Sequence, residues 1–484
     1  MAGLTMRTTL IRPRTGNTPD PPLGLMLLSA CARQNGHTVQ ILDPCPGDMG
    51  FIDEMVRFQP QIVGYSMLTT QVSRTRVIHR AIRDRFPDAV TVAGGIHPTA
   101  LPEWTLRNLS VDYAVCGEGE ITFPRLLNAL ADGSDPARIP GVATLIDNHF
   151  SGSPAPPPIA DLDSLPLPDR ESINFEHYLR PPGNIRGKYL RRATSIITSR
   201  GCPFGCIFCS SHTLFGRPVR RRSVDHVMTE INLLQSRFGV DGIWFLDDTL
   251  LESPEWLAEL CRRMHETGLP WGCQAHVRRA DERLFRMMKD AGCLQLEFGV
   301  ESGSPRILRR LQKGSSPDDV RRAFAICRRV GIRALANFMI GIPDETEEDA
   351  DMSFRLAREI RPDHVVVTFT TPLPGSALFT ESLEKGWLPE IPDFSTDWII
   401  RQTEEPAVAL SMDAATMKRI RKRFDNEFFW TNIRGYFLYP RFLMDILTHI
   451  IRHPQRYFRG FSRAIRTGRL LHVIETIWEE YNRV

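Results

Sequence analysis

The chain has 484 residues, more than one ordinary domain, since domains usually contain about 100–200 residues. Hydrophobic residues make up 42% and charged residues 24% of it, values typical of globular proteins and not of disordered ones. It contains no run of about 18 apolar residues, and its start lacks the apolar core of a secretory signal. We therefore expect a cytoplasmic protein of two or three domains.

Short β-rich runs alternate with amphipathic stretches over residues 1–150, which predicts an α/β domain with a doubly wound, Rossmann-like parallel sheet. Ligands of such sheets bind at the carboxyl ends of the strands. The predicted strands are Thr8–Ile11, Val39–Leu42, Ile62–Ser66, Val90–Val92 and Tyr113–Val115.

Residues 151–185 are predicted to form a linker, because six prolines within 151–170 disfavour both helix and sheet. A second alternation over 186–384 favours a partial (β/α)6 barrel. Residues 385–484 are predicted to be mainly helical. The predicted barrel strands are Thr194–Ile197, Ile243–Leu246, Trp271–His276, Leu294–Val300, Leu335–Ile340 and Val365–Thr370.

Three of the ten cysteines, Cys202, Cys206 and Cys209, are clustered in a loop directly after the first barrel strand. Three thiolates can hold three irons of a [4Fe–4S] cluster and leave the fourth iron open to another ligand. A structural zinc site with His212 as fourth ligand and three buried thiols without metal are the alternatives. The spacing beside glycine and proline at a strand end favours the cluster.

The loop Ser199–Cys209 resembles the cluster loop of the radical S-adenosylmethionine (SAM) superfamily. The segments Leu296–Ser304, Asn337–Pro343 and Thr371–Ser376 are similar to the superfamily's fourth-, fifth- and sixth-strand motifs. The resemblance implies that the open iron chelates SAM, whose reductive cleavage gives a 5′-deoxyadenosyl radical. It assigns adenine contact to Phe208 and ribose contact to Glu301, with further SAM contacts from Arg278, Ser302, Asn337, Ile340 and Gly341.

Two positions near the expected SAM site stay open. His276 stands where many relatives have an arginine, so Arg278 is the candidate to bind the SAM carboxylate in its place. Asp247 and Asp248 follow the second barrel strand, where they either contact the SAM amino group or cap the next helix.

The segments Pro22–Leu25, Gly94–Pro98 and Cys116–Glu120 resemble the cobalamin-binding domain that precedes many radical SAM barrels. The motif Asp-x-His-x-x-Gly is absent, so the lower cobalt face is expected to lack a protein ligand. A doubly wound domain that binds a nucleotide or no ligand is the alternative. The expected cobalamin contacts are Ser66, Thr69, Gly94, Gly95, His97, Gly117, Glu118 and Gly119.

Together the resemblances imply an enzyme that uses a [4Fe–4S] cluster, SAM and cobalamin to methylate an unactivated carbon. An electron donor such as a flavodoxin or ferredoxin is then required. Cyclisation or ring formation without net methylation, RNA modification and a non-catalytic cobalamin sensor are the alternatives. No RNA-binding module is recognisable, so a nucleic-acid partner is not expected.

The C-terminal region is basic: between residues 418 and 470, thirteen Lys and Arg residues stand against three Asp and Glu. Its aromatic and basic residues fall on different faces of a predicted helix, which suits peripheral binding to anionic lipid and a lipid-like substrate. Packing of the apolar face on the barrel, with solvated arginines and a small-molecule substrate, is the alternative. The residues concerned are Phe458, Phe461 and Ile465 on one face and Arg456, Arg459, Arg463 and Arg466 on the other.

Overall fold

The computed structural model describes residues 5–15, 20–179, 192–388, 390–394, 406 and 411–437, with single positions between 444 and 462. The strands are β1 Arg7–Ile11, β2 Thr38–Leu42, β3 Ile62–Ser66, β4 Val90–Gly94, β5 Tyr113–Val115, β6 Val142–Ile146, β7 His149–Gly152, β8 Ala193–Ile196, β9 Ser199–Arg200, β10 Arg220–Arg221, β11 Gly242–Phe245, β12 Trp271–Ala275, β13 Cys293–Glu301, β14 Arg333–Ile340 and β15 His364–Phe369. The helices are α1 Leu23–Gln34, α2 Phe51–Phe58, α3 Val72–Arg85, α4 Ile96–Ala100, α5 Pro102–Leu109, α6 Gly119–Asp132, α7 Ser211–Phe215, α8 Val224–Phe238, α9 Pro254–Thr267, α10 Glu282–Asp290, α11 Pro305–Arg310, α12 Pro317–Val330, α13 Glu347–Ile360, α14 Ala377–Glu384 and α15 Ala414–Phe437.

The first sheet has the strand order β2-β1-β3-β4-β5-β6-β7. Strands β1 to β5 are parallel, and the order reverses between β1 and β3, where α/β sheets of this kind bind ligands. The predicted Rossmann-like sheet is confirmed. The antiparallel pair β6 and β7 that extends it was not predicted, because β7 is short and largely exposed and so carries no alternating apolar pattern.

The second sheet has the order β8-β11-β12-β13-β14-β15, with every pair parallel. Successive strands are neighbours, as in a barrel wall, and the predicted partial barrel is confirmed. The small antiparallel pair β9 and β10, which holds the cluster loop, was not predicted. The domain limits 1–150, 151–185, 186–384 and 385–484 remain a proposal.

The segment after the first sheet is packed between the two sheets. Phe175 and Tyr178 are buried in one continuous apolar cluster with Leu25 and Phe123 of the first domain and Ile231 of the barrel. The two domains therefore share a core, and the proline-rich segment is a structural layer rather than a free tether.

Helix α15 closes the outer edge of the barrel. The side chain of Asn432 accepts a hydrogen bond from the Val365 amide at 2.8 Å and donates one to the Val365 carbonyl at 2.9 Å. The amide thus satisfies backbone groups of β15 that a further strand would otherwise pair, which protects an open sheet edge.

None of the helices in the described part of the chain combines the length and apolar composition needed to cross a bilayer. Most of the predicted amphipathic tail lies outside the described residues: Phe461, Ile465, Arg456, Arg459, Arg463 and Arg466 are among the positions not described.

Replacing Asn432 by alanine is expected to lower the free energy of unfolding by about 1–3 kcal/mol, because two buried backbone groups lose their partner. Hydrogen exchange of the Val365 amide should accelerate in parallel. Asn426, exposed on the same helix, is the matched control, and Asn426→Ala should change stability by less than about 0.5 kcal/mol. Equal effects of the two variants would contradict the edge-closing role.

Candidate active site

The cluster loop begins at β9 and turns sharply at Gly201. Gly201 has φ 91°, and a Cβ built on it would lie 2.3 Å from the Pro218 carbonyl oxygen, so this position requires glycine. The turn delivers Cys202, Cys206 and Cys209 as free, partly buried thiols at the carboxyl end of the barrel.

The three thiols lie close enough to influence one another's ionisation. Burial raises the pKa of Cys202 to about 11 and also raises the pKa of Cys206 and Cys209. The metal-free thiols are thus protonated near neutral pH, and binding iron must release their protons. No group of three or more His, Cys, Asp and Glu side chains in the described ranges could hold a single metal ion. In a [4Fe–4S] cubane each of the three thiolates binds a different iron.

A cavity of about 1030 Å³, measured out to bulk solvent, lies inside the barrel beside this loop. Phe204 forms one wall, with its ring stacked on His276 at a centroid separation of 3.8 Å. The lining residues are Phe204, Phe208, Asp248, Gln274, Ala275, His276, Glu297, Gly299, Glu301, Lys313, Asn337, Met339, Thr368, Phe369, Thr371 and Leu373. Three predicted SAM contacts, Phe208, Glu301 and Asn337, are thus brought together.

Glu301 is held at the end of β13 in a left-handed conformation, φ 63°, and pairs with the buried Lys313 Nζ at 2.9 Å. Lys313 Nζ also lies 5.8 Å from the centre of the Phe208 ring. Burial opposes the charge of Lys313, but the hydrogen-bonded Glu301 carboxylate outweighs it, so the pKa of Lys313 is raised. Sequence reasoning missed Lys313, whose only signal is a lysine before glycine in the connection between α11 and α12.

His276 is buried beside the cavity, whereas Arg278 is exposed. Both ring nitrogens of His276 are occupied, Nε2 donating to the Lys313 carbonyl and Nδ1 accepting from the Arg278 amide, and burial lowers its pKa to about 3. The Arg278 side chain is exposed and does not line the barrel cavity. The cation that the structure places in the cavity is Lys313.

The neighbouring acids Asp247 and Asp248 also lie in different environments. Asp247 is fully buried and accepts hydrogen bonds from the Thr198 amide and the Ser199 hydroxyl, which fixes the strand that leads into the cluster loop. Burial raises its pKa to about 6. Asp248 lines the barrel cavity and accepts a hydrogen bond from Ser211. Of these two acids, Asp248 is the one that can reach a ligand amino group in the cavity.

The remaining predicted SAM contacts lie behind the cavity wall. Ser302 is buried and bonded to Ser353, and Ile340 belongs to the core. Gly341 donates its amide to Glu345 at 2.7 Å, and its Cα faces Met417 of α15 closely enough that a Cβ would lie 2.5 Å from the sulfur. Their assignment as SAM contacts stays a prediction.

A second cavity, of about 1200 Å³ out to bulk solvent, lies between the carboxyl edge of the first sheet, the proline-rich segment and the barrel. Six predicted cobalamin contacts line it: Ser66, Gly94, Gly95, Gly117, Glu118 and Gly119. Its walls are otherwise mostly aliphatic, with Leu162, Leu165, Pro166 and Pro168 of the proline-rich segment on one side. A roomy cavity bordered by glycines at strand ends fits a large planar corrin.

Two predicted cobalamin contacts do not line this cavity. Thr69 is buried and bonded to His97 Nδ1 at 3.1 Å, and His97 packs edge-on against Trp104 and Phe394. Burial lowers the pKa of His97 to about 3. His97 therefore belongs to a dry aromatic cluster, and its contact with cobalamin stays a prediction.

A buried ionic network connects the two domains at this cavity. Arg220 binds both carboxylate oxygens of Glu118, at 2.7 and 3.0 Å, and Arg200 binds Glu120. Arg200 also lies 5.5 Å above the centre of the Phe215 ring. Because Arg200 precedes Cys202 by two residues, the network joins the carboxyl edge of the first sheet to the cysteine loop. Of its members only Glu118 was predicted.

The structure thus has two large cavities that adjoin one cysteine loop. The radical SAM superfamily model matches residues 196–357, and the B12 (cobalamin) binding domain model matches residues 16–127. An uncharacterized methyltransferase of Pyrococcus horikoshii is 31% identical over 93% of this chain and 95% of its own length. The chain therefore belongs to the B12-binding radical SAM family. Its cofactors are a [4Fe–4S] cluster, SAM and cobalamin, and it is a cobalamin-dependent radical SAM enzyme.

Two further comparisons are informative. An anaerobic magnesium-protoporphyrin IX monomethyl ester cyclase of Rubrivivax gelatinosus is 29% identical over 75% of this chain and 67% of its own. The radical SAM methyltransferase TsrM of Kitasatospora setae, solved with cobalamin and a [4Fe–4S] cluster, has 21% identity and a TM-score of 0.65 over 80% of this chain and 76% of its own. The likeness to TsrM supports the fold.

Replacing Glu301 by glutamine should weaken SAM binding roughly 10- to 100-fold, because a carboxylate accepts hydroxyl hydrogens in stronger, charge-assisted bonds than an amide does. Equilibrium dialysis of SAM against the cluster-loaded protein measures the effect. Glu348→Gln makes the same charge change at an exposed position of α13 and serves as control. An unchanged affinity in Glu301→Gln would give Glu301 a purely structural role.

Proposed function

We propose that the enzyme methylates an unactivated carbon of an organic small molecule. When bound, the cluster supplies one-electron cleavage of SAM and cobalamin supplies methyl transfer. The chain's own contribution is to bind both cofactors on either side of one loop, orient them and exclude water.

The observation that carries this proposal is the position of the cluster loop between the two cavities. Arg200, at its start, lines the cobalamin cavity, whereas Phe204 and Phe208 line the barrel cavity. Leu214 and Phe215, just beyond Cys209, line the cobalamin cavity again. One short segment thus borders both cofactor spaces, as expected if a radical formed in one cavity is to meet a methyl group delivered from the other.

The polar residues at the loop end of the barrel cavity can bind different groups of SAM. Glu301 and Lys313 lie at the loop end, where a carboxylate can accept the ribose hydroxyls and an ammonium can pair with the SAM carboxylate. Asp248 can accept from the SAM amino group. The stacked rings of Phe204 and His276 form the wall at this end.

Ring formation without net methylation is the second candidate, supported by the similarity to a cyclase. The products separate the two functions: a methyltransferase releases S-adenosylhomocysteine together with 5′-deoxyadenosine, whereas a cyclase releases 5′-deoxyadenosine alone. No observation in the described residues favours RNA modification.

We further propose a flavodoxin or ferredoxin as electron donor, because the cluster requires a one-electron reductant. The barrel cavity contains several carboxyl, amide and hydroxyl groups, which favours a polar small-molecule substrate over a lipid-like one. Peripheral membrane contact through the C-terminal tail remains a prediction, since most of the residues concerned are not described.

Replacing Cys202, Cys206 and Cys209 together by alanine should abolish the visible absorption of the reconstituted cluster and the release of 5′-deoxyadenosine from SAM. Cobalamin binding should persist, because its cavity is lined by other residues. A matched control is Cys45→Ala, a partly buried cysteine outside both cavities. Stoichiometric zinc without iron in anaerobically purified wild-type protein would contradict the cluster.

Replacing Gly24 by leucine should reduce cobalamin affinity at least about 100-fold while the protein stays folded. Gly24 lines the cobalamin cavity, and no atom lies within 4 Å of a Cβ built on it, so the new side chain fills cofactor space without striking the protein. Leucine also has the higher helix propensity. Gln34→Leu, exposed at the far end of α1, should bind cobalamin normally. Normal binding by Gly24→Leu would place cobalamin elsewhere.

A further inference from the structure

The deep end of the barrel cavity is polar. Gln274 of β12 and Glu297 of β13 are register partners, and both line the cavity. Gln274 is exposed although Cys273 and Ala275 on either side of it are buried, so its side chain faces the cavity. The Glu301 carboxylate folds back against Gly299, and Glu297 precedes Gly299 by two residues, so Glu297 lies roughly 7 Å deeper along the strand than the proposed ribose contact.

Glu297 is held in place but not neutralised. Asn337 Nδ2 of β14 donates to Glu297 Oε1 at 2.8 Å, which orients the carboxylate. Among the residues that the structure describes, no basic side chain pairs with it, in contrast to Glu301 with Lys313. A carboxylate in a protein cavity without a cation is an incomplete interaction, because desolvation is offset only when an opposite charge or several donors approach.

The charged side chains of the whole cavity also favour a cationic ligand. Asp248, Glu297 and Glu301 face it against the single ammonium of Lys313. His276 adds no charge, since burial keeps its ring neutral. SAM carries two positive groups and one negative group, which compensates only part of the excess and does so at the loop end.

We propose that the substrate carries a positively charged nitrogen and that Glu297 binds this group at the deep end of the cavity. The inference rests on the proposed function and deepens it by naming the substrate class. Asn337 acts as a positioning residue for the carboxylate, and the Gln274 amide offers a further acceptor for the same N–H groups. An anionic or purely apolar group at this place would leave Glu297 desolvated without a partner.

Three matched probes test the charge preference: n-butylammonium, butyrate and 1-butanol, each titrated into the anaerobic holoenzyme with SAM and without reductant. Saturation-transfer NMR measures their binding. We expect wild-type protein to bind n-butylammonium at least about ten-fold more tightly than the other two. In Glu297→Gln this preference should fall to within about two-fold, and Glu348→Gln should retain it.

Three results would overturn the proposal: butyrate or butanol binding wild-type protein as well as the ammonium does, no binding of the ammonium at all, or undiminished preference in Glu297→Gln. The wild-type comparison decides the matter even if that variant fails to fold, which its circular dichroism and cluster absorption report. Release of 5′-deoxyadenosine by reduced wild-type protein distinguishes failure of the substrate-class proposal from failure of the proposed function. Normal release without cation preference rejects the substrate class alone, whereas no release rejects the proposed function.

Discussion

The geometry of the whole site depends on two buried carboxylates, Glu118 and Glu120, which bind Arg220 and Arg200 across the domain junction. Each ion is expensive to remove from water, and loss of one partner from such a pair typically costs about 3–5 kcal/mol. The Glu118–Arg220 pair is bidentate, and Arg220 also donates to the carbonyls of Ile159 and Phe215, so its orientation as well as its position is fixed. The network therefore sets how far the carboxyl edge of the first sheet stands from the cysteine loop.

A second buried network supports the first from the barrel side. Glu230 of α8 accepts hydrogen bonds from Arg170 at 2.6 Å and Arg222 at 2.5 Å, and these arginines also donate to the carbonyls of Ser195 and Ile197. The guanidinium groups thereby satisfy the free edge of the barrel at β8, as Asn432 does at β15. Both open edges of the partial barrel are closed by side chains, which lets six strands stand where eight would close a full barrel.

The two sheets and the cluster loop could be predicted from the sequence, and there are physical reasons why several site residues could not. Strand periodicity located the parallel strands of both sheets to within about two residues, because buried parallel strands leave strong apolar runs. Cysteine spacing indicated the cluster loop in the same direct way. Lys313, Arg200 and Glu297 were missed because the role of each depends on a partner that is distant in the sequence, and a sequence records no such spatial distance. Arg278 was proposed by adjacency to His276, but its side chain is exposed and does not line the cavity.

The walls of the cobalamin cavity come from three separate stretches of the chain, and the last of them, α8, lies more than 200 residues after the first strand. Chains emerge from the ribosome with their N-terminal domains folding first. The first sheet can thus form while its ligand cavity still lacks the proline-rich segment and the barrel. A ligand of this cavity reaches its full set of contacts only after the barrel has been synthesised.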